Sequence, residues 1–149
     1  VGENVENYPK LVKKMTQDGH VVGSHTYSHV QLTKLSIKEA EDEITKANEI
    51  IYKSCGIYPT FVRPPYGSWS DTLEKKTNMR SVLWTIDPLD WKVLDKDQVV
   101  RHVVSNAKDG SIILLHDIYK TSVEAALEIV DELTKKGYKF ATIEELQID

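Results

Sequence analysis

Apolar positions at helical spacing alternate along this chain with short, nearly continuous apolar runs. Val5, Tyr8, Leu11, Val12 and Met15 fall three and four residues apart, which predicts one helix over 4–18 stopped by Gly19. Ser36 and Glu39 have the spacing of a capping box and open a long helix through Ile44, Ala47, Ile51 and Tyr52 to Gly56. Shorter helices are expected over 70–77, opened by Ser70 or Asp71, and over 95–107, with Val99, Val100, Val103 and Val104 inward. A clear amphipathic helix covers 121–136, and a last helical turn is expected over 143–146. Between these lie the apolar runs 20–24, 60–63, 81–84, 111–115 and 138–141, which read as five strands. Strands separated by helices imply parallel crossovers, so the fold class is α/β with strands buried on both faces.

Composition narrows the function classes. The chain has 149 residues, 28% of them charged, and a net charge of -4, so it lacks the basic balance of a nucleic-acid-binding surface. Its single cysteine rules out an internal disulfide framework. No apolar run approaches the roughly 20 residues of a membrane span, and no basic-then-apolar leader is present. By length alone the chain suits one domain. It begins at Val1 rather than Met, which suggests a processed or cut product.

The chemically distinctive residues follow the expected strands, where function collects in parallel α/β folds. After the first comes His25-Thr26-Tyr27-Ser28-His29. Histidines four apart on a helical turn suit one shared metal ion, and by spacing alone they read more readily as two unrelated loop positions. Neutral imidazoles favour Zn²⁺, with Co²⁺ or Ni²⁺ also compatible. After the second comes Arg63-Pro64-Pro65-Tyr66-Gly67. Arg63 is a fixed charge suited to a carboxylate, and the Tyr66 N–H is the first free donor after two prolines. The same residues also make a rigid turn with no further task. After the third, Asp87-Pro88-Leu89-Asp90-Trp91 offers two acids that fit a cap or turn, beside an aromatic face suited to a sugar. After the fourth comes Leu114-Leu115-His116-Asp117, in which Leu114 and His116 share one face. His116 reads either as a titrating group with an acid partner or as a core-edge histidine. The adjacent His116-Asp117 also admits a metal-dependent phosphoesterase, but there is no phosphate-cradling glycine-rich loop.

In this order, His-Thr-x-x-His, Arg-Pro-Pro-Tyr-Gly, Asp-x-x-Asp-Trp and Leu-x-His-Asp, the motif set resembles the polysaccharide deacetylases, carbohydrate esterase family 4. The resemblance runs through the whole chain. It implies a distorted (β/α) barrel of about seven strands and metal-dependent removal of acetyl groups from N-acetylglucosamine polymers, or from acetylated xylan in some members. It assigns His25 and His29 to the metal, Arg63 to orienting the catalytic base, and the Tyr66 N–H to the oxyanion. Asp90 tunes the catalytic histidine, and His116 is the catalytic acid. Trp91 and Leu114 wall the acetate, with Pro65 beside the substrate. A bacterial, extracytoplasmic or wall-associated setting is implied, with an acetylated polysaccharide as partner.

One family motif, Thr-Phe-Asp-Asp-Gly-Pro, has no match in this sequence. It supplies the base and the third metal ligand, and Asp42-Glu43 lies mid-helix with the wrong neighbours. The expectation is therefore that 1–149 is the C-terminal part of one catalytic domain. It would be an incomplete barrel of about five parallel strands, with weak metal binding, little activity alone and an open edge suited to self-association. A non-catalytic carbohydrate-binding module on the same fold is the alternative.

Overall fold

A computed structural model of the chain describes residues 1–146, which divide into two units, Val1–Leu83 and the residues from Trp84 onward. In the first unit Pro9 sets the shape of the N-terminal segment. Its ring removes a backbone donor and pushes the preceding residue out of helical geometry. Tyr8 accordingly sits at φ -131°, ψ 48°. The single helix expected over 4–18 is instead two, α1 (Gly2–Asn7) and α2 (Pro9–Gln17). Tyr8 and Leu11 face solvent, and Val5 and Val12 are the buried positions.

The capping box forms as expected: the Ser36 hydroxyl accepts from the Glu39 N–H, and the Glu39 carboxylate accepts from the Ser36 N–H. It opens α3 (Ile37–Cys55), which Gly56 closes in the left-handed conformation, φ 77°. The buried stripe of α3 serves two small cores. Ala40 and Ile44 pack with Leu32, Val62, Leu73 and Met79, while Ile51 packs with Val5 and Val12. β1 (Phe61–Val62) and β2 (Arg80–Ser81) pair in parallel, joined by α4 (Asp71–Thr77), whose N-terminus the Ser70 side chain caps. Ser24 bridges Val62, adding a third parallel segment beside β1. The segment ends leading to residues 25 and 63 thus lie side by side.

Gly2 locks α1 onto this arrangement. Its N–H donates to the Thr26 carbonyl at 2.9 Å, and that of Glu3 to the Tyr27 carbonyl at 3.1 Å. A Cβ at Gly2 would lie 2.8 Å from Tyr27 Cδ2 and 3.2 Å from the Ala47 Cα. Backbone hems it in on both sides, so Gly2→Ala should destabilise the chain by about 1–3 kcal/mol. The check is a lowered urea midpoint with an unchanged denaturant slope.

The second unit contains α5 (Asp90–Val93), α6 (Lys96–Asn106) and α7 (Lys120–Lys135). Asp95 caps α6, accepting from the Gln98 N–H at 2.8 Å. Val99, Val100 and Val103 of α6 meet Ala125, Ile129 and Leu133 of α7 and Ile86 in one core. Ile86 and Ile113 form a parallel bridge.

Every strand-like pairing among the described residues is parallel, as α/β alternation requires, but the five expected strands are much reduced. The described residues hold two strands of two residues each and two isolated bridges. The shortfall has local causes. In 20–24 the His20 N–H turns back to the Met15 carbonyl, and only Ser24 aligns with a partner. In 111–115 the Ile112 N–H is taken by the Thr85 hydroxyl instead of a ladder carbonyl. In 138–141 the Tyr138 N–H closes the end of α7 on Leu133, and Lys139 and Phe140 are exposed. Residues 143–146 form a turn rather than helix. No helix among the described residues is long and apolar enough to cross a membrane.

Candidate active site

In the first unit the parallel segments deliver two of the motifs to one place. The Arg63 N–H donates to the Ser24 carbonyl, and the Arg63 carbonyl faces His25 Nδ1 at 2.5 Å. A carbonyl only accepts, so His25 carries its proton on Nδ1 and keeps a lone pair on Nε2. Burial is the main cause of the fall in the His25 pKa from 6.5 to about 4. The Arg63 carbonyl opposes that shift, and His29 adds to it. His25 is therefore neutral at pH 7. The His25 and His29 rings meet edge to face, 4.8 Å between centroids, and the Tyr66 ring stands 5.3 Å from that of His29.

The backbone here is strained. Thr26, His29 and Tyr66 all lie at positive φ, near 60°, although none is glycine. Pro64 and Pro65, the latter expected beside the substrate, are fully buried and stiffen the turn. Tyr66 stands out from that turn into solvent. The half-buried Arg63 guanidinium donates from Nε to the Val82 carbonyl at 3.3 Å, and burial lowers its pKa. Among the described residues no carboxylate forms an ion pair with it.

One residue that sequence reasoning set aside belongs to this loop. The Glu43 carboxylate, projecting from the middle of α3, accepts from the Tyr27 N–H at 3.1 Å and from the Ser28 N–H and hydroxyl, each at 2.9 Å. Nothing near Glu43 in sequence signals this, since its partners lie 15 and 16 residues away.

In the second unit the Ile86–Ile113 bridge leads into the other two motifs. Asp87 makes a local turn, accepting from the Leu89 N–H at 2.9 Å, which leaves Asp90 free for another task. Asp90 is fully buried, and both its oxygens are used by His116. Oδ1 lies 2.8 Å from His116 Nδ1, and Oδ2 accepts the His116 backbone N–H at 2.7 Å. Burial alone would raise the Asp90 pKa. The nearby Ser122 hydroxyl and the His116 ring and N–H outweigh it and hold the carboxyl below its usual value. The ionised carboxylate fixes the Nδ1–H tautomer, so Nε2 is the ring nitrogen that Asp90 leaves unengaged. Leu114 is buried, whereas Ile113 and Leu115 pack on the α6–α7 core, as strand alternation places them. Trp91 is 46% exposed. His116 thus pairs with Asp90, not with the adjacent Asp117, which removes the feature that suggested a phosphoesterase.

A family model for polysaccharide deacetylases matches residues 1–82. The chain belongs to that family. It is 44% identical over 147 residues to the peptidoglycan-N-acetylmuramic acid deacetylase PdaC of Bacillus subtilis, a match covering 99% of this chain and 32% of that protein. Identity to the peptidoglycan-N-acetylglucosamine deacetylase PgdA of Listeria monocytogenes is 37% over 146 residues, covering 98% of this chain and 31% of PgdA. The solved structure of Bacillus subtilis PdaC matches with a TM-score of 0.95 over 98% of this chain and 72% of that chain. The chain spans about a third of the length of these curated relatives.

For a polysaccharide deacetylase the donor chemistry of the first unit bears directly on metal. His25 is neutral, and its Nδ1 is tied to a backbone carbonyl, the outer-shell contact that orients a metal-binding imidazole. With His29 alongside, the pair fits two positions around a divalent cation. Among the described residues no group of three His, Cys, Asp or Glu side chains gathers at one point.

Proposed function

We propose that this chain carries metal-binding and acid–base residues of a metal-dependent peptidoglycan deacetylase, built on part of a distorted (β/α)7 barrel. The observation that carries the reading is the oriented His25–His29 pair, with the His25 tautomer fixed by the Arg63 carbonyl. The names of the relatives, which act on the N-acetylmuramic acid or N-acetylglucosamine of peptidoglycan, support the substrate class.

His25 and His29 would hold the ion, zinc by the preference of neutral imidazoles, and it would supply Lewis acidity at the acetyl carbonyl. The protein groups do the rest. The Tyr66 N–H donates to the oxygen that gains charge as the amide carbon becomes tetrahedral. Arg63 steadies the carboxylate that, as base, takes a proton from the water whose oxygen bonds to the amide carbon. His116, protonated on Nε2 and steadied by Asp90, gives that proton to the departing amine as the C–N bond breaks, and acetate is released. Leu114 and Trp91 exclude water from the acetyl methyl. Since peptidoglycan is an extracytoplasmic polymer, the enzyme would work outside the cytoplasm.

The test is acetate release from N-acetylated peptidoglycan by a polypeptide that joins this sequence to the family's Asp-Asp strand, with added Zn²⁺. Acetate from peptidoglycan is the expected result. Release from acetylxylan alone, or glycan binding with no acetate, would overturn the reading in favour of an esterase or a binding module.

A further inference from the structure

We propose that Glu43 is a positioning residue that holds the His25–His29 loop in the conformation that presents both imidazoles to one metal ion. The inference rests on the metal reading above and extends it to a residue outside every recognised motif.

The argument begins with the loop's strain. Thr26 and His29 hold φ values of 63° and 60°, and a β-branched residue such as threonine rarely adopts this region. Such a conformation persists only where its surroundings over-determine it. Three donors between the two histidines, the Tyr27 N–H, the Ser28 N–H and the Ser28 hydroxyl, converge on the Glu43 carboxylate. A carboxylate is acceptor-only and satisfies all three together. A glutamine can keep both N–H bonds on its oxygen and turn its amide toward the Ser28 hydroxyl, which can accept, so alanine is the substitution that removes all three bonds.

The same helix holds the loop a second time, since Lys46 Nζ lies 3.3 Å from the centroid of the Tyr27 ring. On the other side α1 donates its first N–H groups to the Thr26 and Tyr27 carbonyls. Thr26 itself is fully buried. The loop is thus fixed from α1 and α3, and Glu43 supplies the only side-chain acceptors recorded for the Tyr27 and Ser28 N–H groups among the described residues. Outer-shell partners bonded directly to a ligand typically contribute about 10–100-fold to metal affinity, and Glu43 acts one step further out, on the backbone between the two histidines.

The experiment titrates the polypeptide that joins this sequence to the family's Asp-Asp strand with Zn²⁺ against a chromophoric chelator, as wild type, His25→Ala, Glu43→Ala and Ser28→Ala. Thermal melting and amide exchange at Tyr27 and Ser28 are measured without metal. Glu43→Ala should weaken Zn²⁺ binding by the folded protein about 10-fold, with faster exchange at both amides. A purely structural role would instead lower the melting temperature and leave the affinity of the folded fraction unchanged, which would overturn the proposal. If Glu43→Ala does not fold, Ser28→Ala carries the test, because it removes one of the three bonds. A several-fold weakening supports the proposal, and wild-type affinity overturns it. Failure of the metal reading looks different: wild type binds no Zn²⁺, or His25→Ala binds as well as wild type, and the positioning role falls with it. Binding lost in His25→Ala but unchanged in Glu43→Ala overturns the Glu43 role alone.

Discussion

In the polypeptide that joins this sequence to the family's Asp-Asp strand, replacing His116 with alanine should lower acetate release by about 100- to 10,000-fold, the usual contribution of a positioned general acid, with bound metal unchanged. The expectation follows from how the ring is held. Asp90 is fully buried and accepts both the ring Nδ1–H and the backbone N–H of His116, so the ring cannot turn without breaking a charge-assisted bond. Its other nitrogen, Nε2, is left for substrate, and the side chain remains 35% exposed. Asp90→Asn keeps the shape but sets an amide NH₂ against one of the two His116 donors. It should therefore lower the rate as well, and lower it less than His116→Ala. Acetate assay beside elemental analysis checks both variants, and a parallel loss of metal in His116→Ala would remove its assignment as the acid. The pH dependence has a definite sign. The folded-state pKa of Asp90 lies below its ordinary 3.8, so its stabilising contribution is complete above that value and is lost as pH falls through the lower folded value.

The helices of this fold were legible because their signals are local. The Ser36–Glu39 box, the Asp95 cap and the α7 stripe each lie within a few residues of the structure they specify. The break at Tyr8 was also written locally, in Pro9, but the apolar spacing across it outweighed the proline in a periodicity reading. The strands were less legible, because an apolar run shows burial and not where its N–H groups find partners. The Ile112 N–H goes to a threonine hydroxyl, and the Tyr138 N–H goes back to its own helix. The site divides in the same way. Histidines at four-residue spacing and an aspartate near a strand end can be read directly. That Asp90, not Asp87 or Asp117, serves His116 depends on a bridge between residues 86 and 113. Glu43 was invisible for the same reason: its partners are set by tertiary packing, and in sequence it is one more polar position on a helix.

His25→Ala should remove most metal binding, weakening Zn²⁺ affinity by well over about 100-fold, since changes one shell further out already reach that size. His25 is the better fixed of the two imidazoles. It is half-buried, neutral and tied through Nδ1 to the Arg63 carbonyl, so its lone pair is committed in direction before any ion arrives. The substitution has a second, separable consequence. It leaves the Arg63 carbonyl without its ring donor, a loss of about 1–3 kcal/mol where the acceptor is shielded from water. The metal-free chain should therefore melt earlier in urea by that amount and still fold. His20→Ala and His102→Ala are the controls, because both histidines are exposed and neither lies in the 25–29 loop. If those two variants lose as much Zn²⁺ as His25→Ala, the ion binds imidazoles indiscriminately. If only His25→Ala and His29→Ala lose it, the spacing first visible in the sequence is a coordination site held open by Arg63.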